Sequence, residues 1–181
     1  MKSNSKRDAI LKVACRLVRE KGALQLTLDA VAKEAGVSKG GLLYHFPSKE
    51  LLIQAILSDF LDRFDSDTTE EAVRNTNLNN GWAQAYLIKT FEISKDDLEM
   101  SSGVLAAAAN NPELLEPMRQ RYITWQNRMA AECSNPVQAT VARLAGDGLF
   151  FCELFGFAPL DEELRSSVLA YLMKMTEKQD A

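Results

Sequence analysis

Apolar residues recur at helical spacing along almost the whole chain, and residues that cap or end helices separate one apolar stretch from the next. The first stretch, residues 6–21, places Ile10, Val13 and Leu17 on one face, and Gly22 follows where a glycine commonly ends a helix. Glycine and proline number only 9 and 5 in 181 residues, and no segment shows a convincing strand pattern. The sequence therefore predicts an all-α fold.

The next two predicted helices are short and closely spaced. Thr27 can cap the second helix, Gly36 ends it, and Ser38 can cap the third. The third helix must stop before Pro47, because proline disfavours helical geometry in the residue ahead of it. It is therefore only about two turns long.

The rest of the chain brings the predicted total to about nine helices. Ser48 can cap a fourth helix that runs to about Phe64, and the Asp-, Thr- and Asn-rich residues 65–80 are interpreted as a connection. The pairs Asn111-Pro112 and Asn135-Pro136 and the residue Asp161 indicate helix starts. Further helices are predicted near residues 81–93, 95–109, 112–133, 137–155 and 161–178.

The charge is unevenly distributed. Residues 1–50 contain ten Lys or Arg and five Asp or Glu, a net charge of +5, whereas residues 51–181 contain eleven and twenty, a net charge of −9. A basic head on an acidic body suggests that only the head meets a polyanion such as nucleic acid. We therefore predict two domains, residues 1–48 and residues 49–181.

Several classes of protein are disfavoured. No apolar run is long enough for a membrane span and no export signal is evident, which makes the cytoplasm the expected location. Cys15, Cys133 and Cys152 are odd in number and widely spaced, so we expect buried thiols, with redox sensing as the alternative, and neither disulfides nor a metal site. No cofactor is indicated. An enzyme is disfavoured because the only histidine lies in the third helix and Asp147 lacks an evident catalytic partner.

The segment AGVSKGGLLYHFPSKE contains two adjacent glycines in the third predicted helix. Each costs about 1 kcal/mol relative to alanine in a helix interior, so a purely structural role is poorly served by them. On a helical wheel Leu42 and Phe46 share one side, whereas Gly40, Gly41 and Tyr44 lie on the other. The glycines are therefore expected on an exposed face that something approaches closely.

Two helices joined by a tight turn, the second with a polar outer face, indicate a helix-turn-helix whose second helix enters the DNA major groove. Lys39 can donate to guanine or a phosphate, and Tyr44 and His45 can reach phosphates or base edges. Lys49 and Thr27, near helix N-termini, can hold a phosphate together with backbone amides. Simpler alternatives stay open: Lys49 as an ordinary surface lysine, Thr27 as a cap alone, and His45 as a packed residue at a helix end.

The run TLDAVAKEAGVSKGGLLYHFPSKELLIQAIL, residues 27–57, closely resembles the DNA-binding segment of the tetracycline-repressor (TetR) family of bacterial regulators. The resemblance combines the turn, the glycines, the Tyr-His pair and the lysine after the cap at fixed spacing. It implies a DNA-binding domain at residues 1–48 and an effector-binding and dimerisation domain at residues 49–181, so that a homodimer binds a small effector in its helical body and thereby alters its affinity for a DNA operator. It also implies DNA contacts by Thr27, Ser38, Lys39, Gly40, Gly41, Tyr44, His45 and Lys49.

Two helices of the body are candidates for the dimer interface. The helix near 137–155 carries small residues that permit close approach, and the last helix carries apolar residues at spacings of four, four and three. Two such helices from each subunit would form a four-helix interface and place two recognition helices on a palindromic operator. Packing within one chain is the alternative. The candidates are Ala142, Gly146, Leu149, Phe150, Leu164, Val168 and Leu172.

Aromatic and methionine side chains of the body suggest an adaptable pocket for a largely apolar small molecule, although such stripes are more often plain core. The function predicted from the sequence is a ligand-responsive repressor. The alternative is a helical protein-interaction module that does not bind DNA. The pocket candidates are Trp82, Tyr86, Met100, Met118, Tyr122, Trp125 and Met129.

Overall fold

The computed structural model describes residues 2–75 and 81–177, with side chains from residue 6 onward. Within these residues the chain forms nine α-helices, two short 3-10 helices and no strand, which confirms the all-α prediction. No helix in this part of the chain is both long enough and apolar enough to cross a bilayer. The helices are α1 (Lys2–Lys21), α2 (Leu28–Glu34), α3 (Lys39–His45), α4 (Lys49–Arg74), α5 (Gly81–Phe91), α6 (Lys95–Ala108), α7 (Glu116–Glu132), α8 (Pro136–Phe155) and α9 (Glu162–Met175).

The chain folds into two compact units. The first unit comprises the chain up to Leu61 together with Lys95–Arg119, and the second comprises Asp62–Ser94 and the chain from Gln120 onward. Helices α1, α2, α3 and α6 therefore belong to the first unit, and α5, α8 and α9 to the second.

The core of the first unit is built around α1, whose residues Ile10, Ala14 and Val18 are fully buried. Helix α6 packs against α1 at Gly103. A Cβ atom added there would lie 3.0 Å from Val18 Cγ1 and 3.2 Å from the Val18 carbonyl oxygen. Arg19 of α1 also forms an ion pair with Asp96 of α6. The absence of a side chain at Gly103 therefore lets the two helices approach closely.

Helix α4 extends ten residues beyond its predicted end at Phe64. The prediction of a connection over 65–80 is wrong for residues 65–74, and residues 76–80 lie outside the described residues. The buried side of the helix continues through Phe64, Thr68 and Glu71, which are spaced by four and three residues. Burial on one side of the helix therefore outweighs the weak helix propensity of this polar segment.

Helix α7 begins at Glu116, four residues after the predicted start at Pro112. A 3-10 turn, Pro112–Leu115, precedes it. Asn111 occupies the predicted N-cap position of this turn, but its side chain makes no capping bond. Pro117 then occupies the first turn of α7, where a missing amide hydrogen is not costly. The caps at Asn135 and Asp161 are confirmed by their side-chain bonds to backbone amides of α8 and α9.

The second unit packs α5 against α8 and α9. Arg165 of α9 holds this arrangement at one edge, since it pairs with Glu153 of α8 and donates to the Phe91 carbonyl oxygen of α5. The buried core residues shared by the three helices are Leu87, Phe91, Ala142, Leu149 and Leu172.

Candidate functional site

Local hydrogen bonds define the turn between α2 and α3. Thr27 Oγ1 accepts from the Ala30 amide at 3.2 Å, and Ser38 Oγ accepts from the Gly41 amide at 3.1 Å, so both predicted caps are confirmed. Between them Gly36 has a φ of +66°, a left-handed conformation that favours glycine. The two helices are thus a helix-turn-helix with its ends fixed by side chains.

Helix α3 has one buried and one exposed side. Leu42 and Phe46 are 0% and 3% exposed, whereas Tyr44 is 80% exposed and both glycines lie at the surface. A Cβ on Gly40 would meet nothing within 4 Å, while one on Gly41 would lie 3.2 Å from Ser38 Oγ. The predicted orientation is confirmed. Gly41 therefore also leaves room for the Ser38 cap, a structural role that the sequence interpretation missed.

The cations of this surface have partners within the first unit. Lys39 Nζ lies 2.9 Å from Asp29 Oδ1 and 3.2 Å from Asp29 Oδ2. Lys49 Nζ donates to the Leu24 carbonyl oxygen at 2.7 Å, which fixes it beside the 3-10 turn before α2. The Arg7 guanidinium lies 5.3 Å from the centre of the Phe46 ring, a cation–π contact that steadies the end of α3.

The N-terminus of α4 already has acceptors for some of its backbone amides. Ser48 Oγ accepts from the Leu51 amide at 3.2 Å. The Glu50 carboxylate accepts from its own backbone amide and from Ser48, and these bonds lower the pKa of Glu50. A phosphate at this helix end would therefore depend more on Lys49 than on free amides.

A surface depression of about 480 Å³ lies beside α3. Lys6 and Ile10 of α1 line one side of it, and Tyr44 and His45 of α3 line the other. The Tyr44 and His45 rings contact each other edge to face, with centroids 5.0 Å apart. Of the residues that the sequence predicted for DNA contact, Ser38, Gly41, Tyr44 and His45 line this depression.

The predicted pocket residues fall in different parts of the structure. Met100 and Met118 belong to the first unit, and the other five belong to the second. In the second unit four of them join Phe64 in an aromatic cluster, with neighbouring ring centroids 5.0 to 5.4 Å apart. Met129 is fully buried. The aromatic cluster consists of Phe64, Trp82, Tyr86, Tyr122 and Trp125.

Asp147 of α8 carries a buried charge beside this cluster. Its Oδ1 accepts from the Tyr86 hydroxyl at 2.7 Å, and its Oδ2 pairs with Arg143 at 2.5 Å. Burial raises the pKa of Asp147, although the hydrogen bond from Tyr86 and the charge of Arg143 partly oppose this. Burial, together with the charge of Asp147, also raises the pKa of Tyr86 and of Tyr122.

The sequence interpretation dismissed Asp147, because it looked only for a catalytic partner. The usable indication was the spacing of Arg143 and Asp147, which places opposite charges on one face of an otherwise apolar helix.

Among the described residues, no group of three His, Cys, Asp or Glu side chains could hold a metal ion.

Five of the seven predicted interface residues lie inside the subunit. Ala142, Leu149 and Leu172 are part of the core with α5, and Phe150 is 6% exposed. A Cβ on Gly146 would lie 3.4 Å from Leu87 Cδ2, so the small-residue stripe of α8 faces α5 of the same chain. This stripe therefore packs against α5 of the same chain, as the alternative describes. Leu164 is exposed and Val168 is half-buried.

A different stripe of α8 is exposed. Its apolar residues follow spacings of four, three, seven and four, which keeps them on one face of the helix. Gly148 lies on the same face, and a Cβ there would meet nothing within 4 Å. On α9, Leu164 and Tyr171 are 51% and 67% exposed. The exposed α8 stripe consists of Val137, Val141, Leu144, Phe151 and Phe155.

Comparison with known proteins identifies both parts of the chain. Residues 10–56 match the family described as bacterial regulatory proteins, tetR family, and residues 80–177 match the family described as tetracyclin repressor-like, C-terminal domain. The HTH-type transcriptional regulator EthR of Mycobacterium tuberculosis is 25% identical over 171 residues, which cover 87% of this chain and 79% of EthR. The HTH-type transcriptional repressor KstR2 of Mycolicibacterium smegmatis is 38% identical over 58 residues, 32% of this chain and 28% of KstR2. The chain thus matches less than a third of the length of KstR2.

A solved structure of the multidrug binding protein EbrR in complex with ethidium has the same fold. It superposes with a TM-score of 0.69 at 24% identity and covers 92% of this chain and 98% of EbrR. Three observations point to the same family. They are the outward-facing helix-turn-helix, the family matches in both parts of the chain, and the relatives named as regulators. The chain belongs to the TetR family of bacterial regulatory proteins and is a helix-turn-helix transcriptional regulator, not an enzyme.

Proposed function

We propose that the protein is a cytoplasmic repressor that binds a palindromic operator as a homodimer and is released by a small, largely apolar effector. The observation that carries the proposal is the exposed side of α3, where Gly40, Gly41 and Tyr44 face outward while Leu42 and Phe46 anchor the helix. Residues 1–48 serve as the DNA-binding domain and residues 49–181 as the effector-binding and dimerisation domain.

The DNA contacts divide into two groups. The bare backbone at Gly40 and Gly41 allows α3 to enter the groove deeply, so that Lys39, Tyr44 and His45 reach base edges or the adjacent phosphates. The remaining contacts, by Thr27, Ser38 and Lys49, are with phosphates at helix N-termini. Since the Thr27 and Ser38 hydroxyls already accept bonds from amides, they retain a hydroxyl hydrogen for a phosphate oxygen.

The proposed dimer interface is the exposed α8 stripe with Leu164 and Tyr171 of α9. Most of the residues first expected there are buried in the subunit, whereas this stripe is apolar, continuous over the length of α8 and open to solvent. Gly148 offers a place where the partner's helix can approach the backbone. Leu164 is retained from the original prediction, and Val168 lies at the edge.

The aromatic cluster is the proposed effector site. Its flat rings suit an apolar or aromatic ligand, and the Tyr86 and Asp147 groups supply polar contacts beside them. EbrR, solved with ethidium and with imidazole, is a relative in fold that binds flat ring compounds. Met100 and Met118 belong to the first unit and are left out of the proposed effector site.

The response to an effector must reach α3, and α6 is the proposed element of transmission. Within the first unit α6 contacts α1 closely at Gly103, and the Arg19–Asp96 ion pair joins the same two helices. A displacement of α6 would therefore carry α1, against which α2 and α3 pack. The coupling required is about 1 to 3 kcal/mol, which a few altered contacts can supply.

The test is fluorescence anisotropy of labelled duplexes selected from a randomised pool by the wild-type protein. We expect a palindromic consensus and an affinity that falls steeply with salt. Tyr44→Ala should weaken binding at least several-fold without a change in thermal unfolding, because the side chain is exposed. Lys49→Ala is a less clean variant, because it also removes the bond to the Leu24 carbonyl oxygen.

The opposite results would support a different function. If no duplex is enriched, or if affinity is indifferent to salt, the basic head is a docking face for a protein and the molecule is an interaction module. Equal losses of affinity and stability in Tyr44→Ala would show that the tyrosine acts structurally.

A further inference from the structure

We infer that Asp29 is a positioning residue for DNA recognition, which holds the Lys39 ammonium as a base-reading donor and keeps it from acting as a phosphate-binding cation. The inference rests on the proposed function, because it assumes that α3 enters the major groove. Asp29 itself is not among the contacts expected from the family pattern.

The geometry is a two-point contact across the helix-turn-helix. Asp29 lies in the first turn of α2 and Lys39 is the first residue of α3. Lys39 Nζ lies 2.9 Å from Oδ1 and 3.2 Å from Oδ2 of Asp29, so the ammonium engages both carboxylate oxygens. The pair therefore links the first turn of each helix.

The pair is open to a ligand. The side chains of Lys39 and Asp29 are 62% and 71% exposed, on the part of the first unit that carries Gly40. An exposed ion pair contributes little to folding stability. Its effect is therefore expected on what binds there and not on whether the protein folds.

Lysine alone is a poor reader of sequence. Its ammonium is a strongly hydrated point charge on a flexible stem, which phosphates attract at any sequence. Lys39 has three N–H donors, and its contact with the two oxygens of Asp29 leaves at least one of them free. The carboxylate thus fixes the position of the remaining donor, which can meet guanine O6 or N7 or thymine O4.

The same carboxylate compensates the charge. A Lys39–Asp29 pair has no net charge, so it adds little to the attraction between the first unit and the DNA backbone. On DNA that lacks the operator sequence, the Lys39 ammonium stays paired with Asp29 and makes no additional hydrogen bond. In the complex with the operator, its free donor gains a base acceptor, so the pair raises the ratio of specific to non-specific affinity.

The experiment measures the affinity of the full-length protein for the selected duplex and for a scrambled duplex of the same composition, over a range of salt. In Asp29→Asn the freed ammonium takes a phosphate. We expect scrambled-duplex affinity to rise about fivefold, the scale of one exposed ion pair. The slope of log affinity against log salt should steepen by about 0.9, the value for one added phosphate contact. Affinity for the selected duplex should change less, so discrimination falls.

Two further variants isolate the mechanism. Glu99→Gln removes one carboxylate of the first unit whose partner is Lys95, and so controls for the change in net charge alone. In a Lys39→Gln background, Asp29→Asn should change the salt slope and the discrimination between the two duplexes no more than Glu99→Gln does. Thermal unfolding of each variant shows that it is folded.

Two results would overturn the inference: an Asp29→Asn protein that matches Glu99→Gln in slope and discrimination, or an Asp29 effect that persists without Lys39. Failure of the proposed function is separate, because it would appear in the wild-type protein as the absence of salt-dependent duplex binding.

Discussion

The substitution Gly103→Ala tests the contact that joins α6 to α1. In an open helix position, replacement of glycine by alanine stabilises by about 1 kcal/mol. At residue 103 the new Cβ would lie 3.0 Å from Val18 Cγ1 and 3.2 Å from the Val18 carbonyl oxygen. The methyl of Val18 can rotate away, but the carbonyl is part of α1 and can yield only if the helices separate.

The magnitude follows from these opposing terms. Overpacking a close contact costs about 1 to 3 kcal/mol, which offsets the gain in helix propensity and leaves Gly103→Ala about 0 to 2 kcal/mol less stable than the wild type. The matched control is Gly40→Ala, where a Cβ meets nothing within 4 Å and φ is ordinary for a helix. That variant should be neutral or more stable by up to about 1 kcal/mol.

Urea unfolding followed by far-UV circular dichroism measures both variants. The separation between them is the overpacking cost at residue 103, so it should be about 1 to 3 kcal/mol with Gly103→Ala the less stable protein. If Gly103→Ala is stabilised as much as Gly40→Ala, then α6 does not press on α1, and the proposed transmission through α6 loses its structural basis.

Three other predictions concern the DNA face, the dimer and the buried charge. Gly40→Leu should abolish duplex binding in the anisotropy assay while stability is retained, because the added side chain projects from the exposed side of α3; unchanged affinity would mean that this side does not enter the groove. Phe155→Asp places a charge on the exposed α8 stripe and should shift the protein from dimer to monomer in analytical ultracentrifugation, whereas Phe150→Asp should instead destabilise the subunit, since Phe150 is buried and Phe155 is 51% exposed. Asp147→Asn removes a carboxyl whose pKa burial raises, so the native state holds its proton more tightly than the unfolded chain does. As pH rises above about 4, ionisation of Asp147 should cost the wild type stability that Asp147→Asn does not lose, and parallel urea midpoints for the two proteins between acid and neutral pH would contradict this.

Short-range chemistry made much of the first unit predictable. The caps at Thr27 and Ser38 and the turn at Gly36 depend on neighbours within three or four residues, so the sequence itself contains the information. The sidedness of α3 followed from the spacing of Leu42 and Phe46 in the same way.

The failures concern partners that are distant in sequence. The part of helix α4 beyond Phe64 buries Thr68 and Glu71 against other parts of the chain, and its Asp65 accepts from Trp125 Nε1 at 2.5 Å. Trp125 lies 60 positions away in the sequence, so no local pattern reveals this contact. Helix α8 bears apolar or small residues on two faces, one with Ala142 and Leu149 and the other with Val141 and Phe155. Periodicity identifies both faces but cannot tell which one α5 covers, so the sequence prediction placed the interface on residues that the subunit itself buries.

The aromatic cluster confines the intrinsic tryptophan fluorescence of the protein to its second unit. The chain has two tryptophans, and both Trp82 and Trp125 lie in the cluster of the second unit. Their indole emission therefore reports on the surroundings of Tyr86 and Asp147, while the helix-turn-helix contributes no tryptophan signal of its own. If an effector binds at the cluster as proposed, intrinsic fluorescence reports that binding, while a dye on the duplex reports DNA binding in the same sample.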